Sequence, residues 1–161
     1  MKTRKILAIT VVVLIFATLA FIWGNSLESV GESSEISAHM MGIVTPFLEL
    51  FIGKDNVTDH IVRKIGHFVE FGTLGSELAL LCVLQHRMRF QPVVNCLFAG
   101  LTTAVTDEAL QLISARGSQV KDVLLDFCGV VTGIVIVILL NWLVRAIRST
   151  LIRPNEQQSR I

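Results

Sequence analysis

VLLDFCGVVTGIVIVILLNWL, residues 123–143, is the stretch that decides the fold of this chain. It contains a single charged side chain, Asp126, and it is as long as the roughly 20 apolar residues that a transmembrane helix needs. Because hydrocarbon offers the backbone no hydrogen-bond partner, an isolated segment of this kind spans a bilayer only as a helix. The stretch therefore predicts an integral membrane protein.

Three further stretches have a similar length and apolar character: residues 6–23, 65–84 and 93–113. Together the four stretches predict an all-α fold, a membrane helical bundle of about four transmembrane helices. Residues 1–153 are expected to form one transmembrane domain, and residues 154–161 a disordered cytoplasmic tail, because that tail has no apolar period.

The overall composition agrees with a membrane protein. Hydrophobic residues make up 52% of the chain and charged residues only 17%, whereas a soluble domain typically has about a quarter charged residues. Cys82, Cys96 and Cys128 all lie inside apolar runs without metal-ligand spacing, which favours packing residues over a disulfide framework or a zinc site. The sequence has no basic patch with interleaved aromatic residues, so it does not indicate nucleic-acid binding.

The basic residues predict the orientation in the membrane. They precede the first stretch, fill the loop between the second and third, and follow the fourth: Lys2, Arg4, Lys5, His86, Arg87, Arg89, Arg145, Arg148, Arg153 and Arg160. With four spans these places share one side, which the positive-inside rule assigns to the cytoplasm. We therefore expect a multi-pass protein of the cell membrane with both termini inside.

The segment between the first two stretches contains a fifth apolar region, residues 36–53. Its apolar residues recur at helical spacing, but Pro46 would interrupt or kink a continuous helix. A fifth span would also place Arg87 and Arg89 outside. We expect an extracytoplasmic amphipathic helix that is interfacial or re-entrant.

The first stretch has a second interpretation, a cleaved signal peptide, because Lys2, Arg4 and Lys5 form a basic region before the apolar run. The run is slightly long for a signal peptide, so an uncleaved helix is favoured.

Ionisable residues cluster at the outer ends of three helices. The cluster consists of Arg63, Lys64, His67 and Glu70, then Thr106, Asp107, Glu108 and Gln111, then Arg116 and Lys121, and finally Asp122 and Asp126. Charges inside a bilayer cost at least a few kcal/mol each, so such residues are functional candidates by default. Within each helix the spacing of about three or four residues places most of them on one face. We expect these faces to turn toward each other and form an outward-opening polar pocket.

A purely structural role is the alternative for this cluster. Arg63 with Asp126, or Arg116 with Glu108, would then form ion pairs that only lock the helices together. His67 argues against this alternative because histidine titrates near neutral pH and is an unusual strut. The pair Gly129 and Gly133 has small-xxx-small spacing and predicts close helix packing, as do Gly66, Gly72 and Gly75.

The same residues carry a family resemblance. RKIGHFVEF at 63–71, TDEALQ at 106–111, Arg116, and DVLLD at 122–126 before Gly129 resemble, in order and spacing, the pattern of the VanZ-like family of small membrane proteins. Phe71 stands where that family often has Tyr, and Asp126 where Asn is common. The family is named for a teicoplanin-resistance protein, and the resemblance implies a cell-envelope membrane protein, linked in some members to low-level glycopeptide resistance.

Two classes of function fit the pocket best. A binding or protective module would engage membrane lipid or a lipid-linked or cell-wall-related molecule, with ligand contacts from Arg63, Lys64, Gln111, Arg116, Asp122 and Asp126. A membrane enzyme would instead use His67 and Glu70 with Asp107 and Glu108 as acid–base groups on an outer-leaflet amphiphile. A transporter or flippase subunit ranks last, because four spans would require an oligomer and the polar residues do not cross the midplane.

Our first interpretation is that the protein has no resident cofactor or metal. His67 and the neighbouring carboxylates also form a donor set that a divalent cation accepts, although ion pairs with Arg63 and Lys64 would compete for those carboxylates.

Overall fold

The computed structural model describes residues 2–27, 58–114 and 119–152. In these ranges the chain forms four helices: α1 at Lys2–Leu27, α2 at Asp59–Leu84, α3 at Phe90–Ile113 and α4 at Val120–Ile152. Each helix is long and apolar enough to cross a membrane, and the described ranges contain no strand. The predicted all-α membrane bundle is confirmed. The predicted outer helix at 36–53 and the predicted tail at 154–161 lie outside the described residues.

All four helices extend beyond the apolar stretches that predicted them, and α2 and α4 show the reasons. α2 begins at Asp59, where the side chain of Thr58 accepts a hydrogen bond from the backbone N–H of Ile61 and caps the helix. α4 has 33 residues, about 50 Å at 1.5 Å per residue, whereas the hydrocarbon core is about 30 Å thick. The last turns of α4 therefore project beyond one side of the bilayer, and they carry the exposed Arg145 and Arg148.

Consecutive helices run antiparallel. The contacts between helix ends therefore fall into two groups, one at each end of the bundle. At one end Arg4 of α1 donates to the backbone oxygen of Val83 at the end of α2, over 3.4 Å. At this same end Cys82 of α2 and Cys96 of α3 lie with their Sγ atoms 3.6 Å apart as free thiols. At the other end Ser114, directly after α3, donates to the backbone oxygen of Ser26 of α1 over 2.8 Å.

Glycines bring α2 and α4 into close contact. A Cβ atom on Gly129 would lie 2.5 Å from the backbone oxygen of Phe68, and one on Gly133 would collide with the backbone oxygen of Gly72. A Cβ atom on Gly75 would collide with the backbone of Val130. The packing role predicted for these glycines is confirmed, since no side chain larger than hydrogen fits between the two backbones. Gly66 differs, because a Cβ atom there would meet nothing within 4 Å.

The bundle buries a narrow apolar core and exposes an apolar exterior. Phe71, Leu74 and Val130 are almost completely buried between the helices. Large apolar side chains cover the outside, as at Phe16, which is 67% exposed, and Phe98, which is 71% exposed. In water such a surface would be unstable, whereas lipid solvates it.

The threonines of α3, whether exposed or buried, satisfy their hydroxyls within the helix. Thr102, Thr103 and Thr106 each donate to the backbone oxygen four residues earlier, at 2.8–2.9 Å. The three hydroxyls are therefore satisfied within α3 itself.

Candidate functional site: a buried polar cluster at one end of the bundle

We refer to the polar side chains gathered at this end of the bundle as the pocket. At their centre is a histidine between two buried carboxylates that come from different helices. His67 of α2 places its Nδ1 atom 3.8 Å from Oδ2 of Asp107 on α3 and 3.7 Å from Oδ1 of Asp126 on α4. Both carboxylates are fully buried, at 0% and 1% exposure. Close helix packing at Gly129, one turn after Asp126, holds α2 and α4 near enough for this contact.

Asp107 is oriented by hydrogen bonds from two helices. The hydroxyl of Ser26, near the end of α1, donates to Oδ1 of Asp107. Nε2 of Gln111, one turn further along α3, donates to Oδ2 over 2.9 Å. Such bonds to a charged acceptor are among the stronger hydrogen bonds in proteins, and here they fix the direction of the carboxylate.

Glu70 lies one turn after His67 and joins α1 to the pocket. Its Oε1 atom accepts a hydrogen bond from Nδ2 of Asn25 over 3.3 Å. The spacing of His67 and Glu70 on α2 places them on one face, as the sequence indicates. α1 thus supplies polar partners to both the α2 and the α3 acids.

The outer part of the pocket contains an ion pair and a capped turn. Nζ of Lys64 lies 3.0 Å from Oδ1 of Asp122 and ties the start of α2 to the start of α4. Oε1 of the buried Glu108 accepts a hydrogen bond from the backbone N–H of Gln119 over 2.7 Å, just before α4 begins. Glu108 therefore has a local structural partner in addition to its position in the pocket.

The structure thus brings together most of the residues singled out in the sequence: His67, Glu70, Asp107, Glu108, Gln111, Lys64, Asp122 and Asp126. Arg63 and Lys121 are exposed at the starts of α2 and α4, and Arg116 lies outside the described residues. Arg63 and Asp126, considered as a structural pair, do not form a hydrogen-bonded ion pair, because neither oxygen of Asp126 has a hydrogen-bond partner in the described ranges.

Three polar residues of the bundle were missed by the sequence interpretation. Asn25 and Ser26 belong to α1, whereas the predicted first span ends at residue 23 and leaves them in the outer loop. Glu77 lies deeper in α2, where its Oε1 atom accepts a hydrogen bond from Thr18 of α1 over 3.1 Å. Glu77 could have been found from the sequence, because an acid inside an apolar span is a functional signal. Asn25 and Ser26 give no such signal, because their role depends on how α1 packs.

An apolar groove adjoins the pocket between α1 and α2. Its volume is about 610 Å³, and it is lined by Ala17, Thr18, Phe21, Val62, Ile65, Gly66, Val69, Glu70 and Thr73. Glu70 belongs to both the groove and the polar pocket. The groove is open at Gly66, because nothing fills the space where a Cβ atom would be.

The pocket also contains a set of donors that fits a cation. One donor atom from each of His67, Asp107 and Asp126 lies within 4.8 Å of the other two. Nitrogen and carboxylate donors of this kind suit divalent transition metals.

The fold and the pocket define a class: a multi-pass helical membrane protein with a buried polar site at one end of its bundle. The model of the VanZ/LLP1 family matches residues 5–141, so the chain belongs to this family. The match includes α1, which supplies Asn25 and Ser26. A search of curated proteins and of solved structures finds no match to the chain.

Proposed function

We propose that this VanZ-like protein binds an amphiphile of the cell envelope, with the head group in the polar pocket and one hydrocarbon chain in the groove between α1 and α2. The observation that carries the proposal is the position of Glu70. Its carboxylate is hydrogen-bonded to Asn25 in the pocket, and its side chain also lines the apolar groove. A ligand with a polar end and an apolar end matches two such adjoining surfaces.

The chemistry of the pocket favours a head group that donates hydrogen bonds as well as carrying charge. Glu70, Asp107 and Asp126 are acceptors when ionised, and the ammonium of Lys64 is already held by Asp122. Hydroxyl, amide and amine groups would meet these acceptors, and such groups are abundant on sugar- and peptide-bearing lipid-linked cell-wall precursors.

The proposed side of the membrane is the exterior. Basic residues lie at the opposite end of the bundle from the pocket, as at Arg87 and Arg89 in the loop between α2 and α3. Under the positive-inside rule this end faces the cytoplasm. A ligand in the outer leaflet then reaches the groove sideways, and its occupation would alter glycopeptide susceptibility, in line with the family's link to teicoplanin.

Binding is tested with the full chain in nanodiscs and a fluorescent polyprenyl-diphosphate carrying a disaccharide-pentapeptide. Gly66→Leu fills the groove where nothing opposes a side chain, so it should weaken binding about tenfold or more, since every 1.4 kcal/mol is tenfold in affinity. Gly24→Leu is the matched control, because Gly24 is equally unopposed and does not line the groove. Saturable binding that is unchanged in Gly66→Leu and in Glu70→Gln would contradict the proposal.

A second candidate function, acid–base catalysis on the same amphiphile, is favoured by the position of His67 between two carboxylates. One carboxylate would orient the imidazole while it moves a proton at Nε2, the nitrogen that does not face Asp107 or Asp126. The binding experiment separates the two functions when the probe is recovered and analysed. Conversion that is lost in His67→Ala supports catalysis, and unaltered probe supports binding alone.

A further inference from the structure

Among the described residues, Asp126 is a buried acid whose two carboxylate oxygens both lack a hydrogen-bond partner. Its side chain is only 1% exposed. A buried polar group normally has at least one partner, and an uncompensated buried charge costs far more than an uncompensated dipole. The position therefore calls for a positively charged or hydrogen-bond-donating partner beside this carboxylate.

Two other donor atoms face the same point. Nδ1 of His67 lies 3.7 Å from Oδ1 of Asp126 and 3.8 Å from Oδ2 of Asp107. Around a tetrahedral zinc ion with bonds of about 2.0–2.2 Å, ligand atoms lie about 3.3–3.6 Å apart. The two separations from His67 exceed this range by only a few tenths of an ångström, and all three donor atoms lie within 4.8 Å of one another, so the side chains would have to draw together to hold an ion.

The surroundings of the three donors resemble those that support a metal. Ser26 and Gln111 each donate to one oxygen of Asp107 and thereby fix its orientation. A carboxylate has about four lone-pair sites, so in general it can accept such hydrogen bonds and also ligate a metal. Hydrogen bonds to a ligand carboxylate are a regular feature of protein metal sites and strengthen metal binding.

Charge balance favours a divalent ion. Two ionised carboxylates and a neutral imidazole supply two negative charges, which match one divalent cation. The nearby ammonium of Lys64 is engaged by Asp122 at 3.0 Å. The mixture of one nitrogen and two oxygen donors suits zinc or manganese better than magnesium, which prefers oxygen ligands and retains several waters.

From these observations we infer that His67, Asp107 and Asp126 form a binding site for a divalent transition-metal cation in the class of zinc and manganese. A tetrahedral ion with three protein ligands would take a water or a substrate atom as its fourth ligand. This inference goes beyond amphiphile binding and stands on separate observations, so either one can fail without the other.

The test uses the full chain in phosphatidylcholine nanodiscs after treatment with a chelator. Zinc chloride or manganese chloride is added, unbound ion is removed by gel filtration, and the metal that stays with the protein is measured. We expect about one equivalent per chain, with binding weakened about tenfold or more in Asp126→Asn and in His67→Ala. Glu77→Gln is the matched control and should retain the metal, because the Glu77 carboxylate accepts from Thr18 of α1 and is not one of the three donors.

A second measurement does not depend on the folding of these variants. His39, His60 and His86 are replaced by Gln, leaving His67 as the only histidine, and its ring nitrogens are observed by nitrogen-15 NMR during a zinc titration. Coordination should shift the Nδ1 signal with the same stoichiometry as the metal uptake. Absence of stoichiometric uptake, or uptake that leaves the His67 signal unchanged, would overturn the inference and leave the imidazolium as the counter-charge of the two acids.

Discussion

Asp107 shows how much of the site depends on single hydrogen bonds between helices. Its position in the TDEALQ segment predicts a polar face on α3, and Gln111 one turn later predicts a partner on that face. The bond from Gln111 is present at 2.9 Å. The bond from Ser26 was not predictable, because the sequence gives no sign of which face of an almost uniformly apolar α1 meets α3.

Ser26 provides a residue-scale prediction. Removing its hydroxyl in Ser26→Ala should destabilise the protein by about 1.5–3 kcal/mol, since hydrogen bonds to charged groups fall in this range and the acceptor is fully buried. Thermal or denaturant unfolding in detergent measures the change. Ser149→Ala is the control, because Ser149 is exposed near the end of α4 and donates only to its own helix. Equal stabilities of the two variants would contradict the assigned role of Ser26.

At the scale of the elements, the contact between α2 and α4 determines whether the pocket exists. The small-xxx-small spacing of Gly129 and Gly133 was readable from the sequence and predicted this contact. Gly66 carried the same signal and has a different environment, beside the open groove. Spacing along one helix reveals a smooth face, but the position of the partner helix decides which part of that face is covered.

Gly133 provides the prediction at this scale. Gly133→Leu should separate α2 from α4, because a Cβ atom there already collides with the backbone oxygen of Gly72. We expect a loss of about 3 kcal/mol or more in unfolding free energy, at the upper end of the range for overpacked sites. Gly24→Leu is the control, with no atom within 4 Å of its Cβ position. Normal stability and unchanged probe binding in Gly133→Leu would show that the close contact is dispensable.

At the scale of the whole molecule, hydropathy predicted correctly the four helices of the described ranges and their order, because the free energy of burying an apolar segment in lipid depends on local sequence. The ends of the helices were less predictable: α4 continues to Ile152, beyond the apolar stretch that ends at 143. A helix can continue in water once the bilayer has nucleated it, and the residues after Leu143 include good helix formers.

The orientation of the molecule in the membrane is open to a labelling experiment. Cys82, Cys96 and Cys128 are replaced by Ala, and Lys121→Cys and Arg87→Cys are introduced separately at exposed positions on opposite ends of the bundle. On intact cells a membrane-impermeant maleimide should label Lys121→Cys, because the basic end is expected inside. Arg87→Cys should react only after permeabilisation. The reverse pattern would place the pocket in the cytoplasm and remove the outer-leaflet ligand from consideration.

The most direct test of the converging pocket is a distance between its side chains in a lipid bilayer. Solid-state NMR on the variant that retains only His67, labelled with nitrogen-15 histidine and carboxyl-carbon-13 aspartate, reports dipolar couplings between the ring and nearby carboxylates. The contacts of 3.7 and 3.8 Å should produce clear dephasing, part of which disappears in Asp107→Asn and part in Asp126→Asn. Dephasing that is absent, or unchanged in both variants, would show that these three side chains do not meet and would contradict the account of the site.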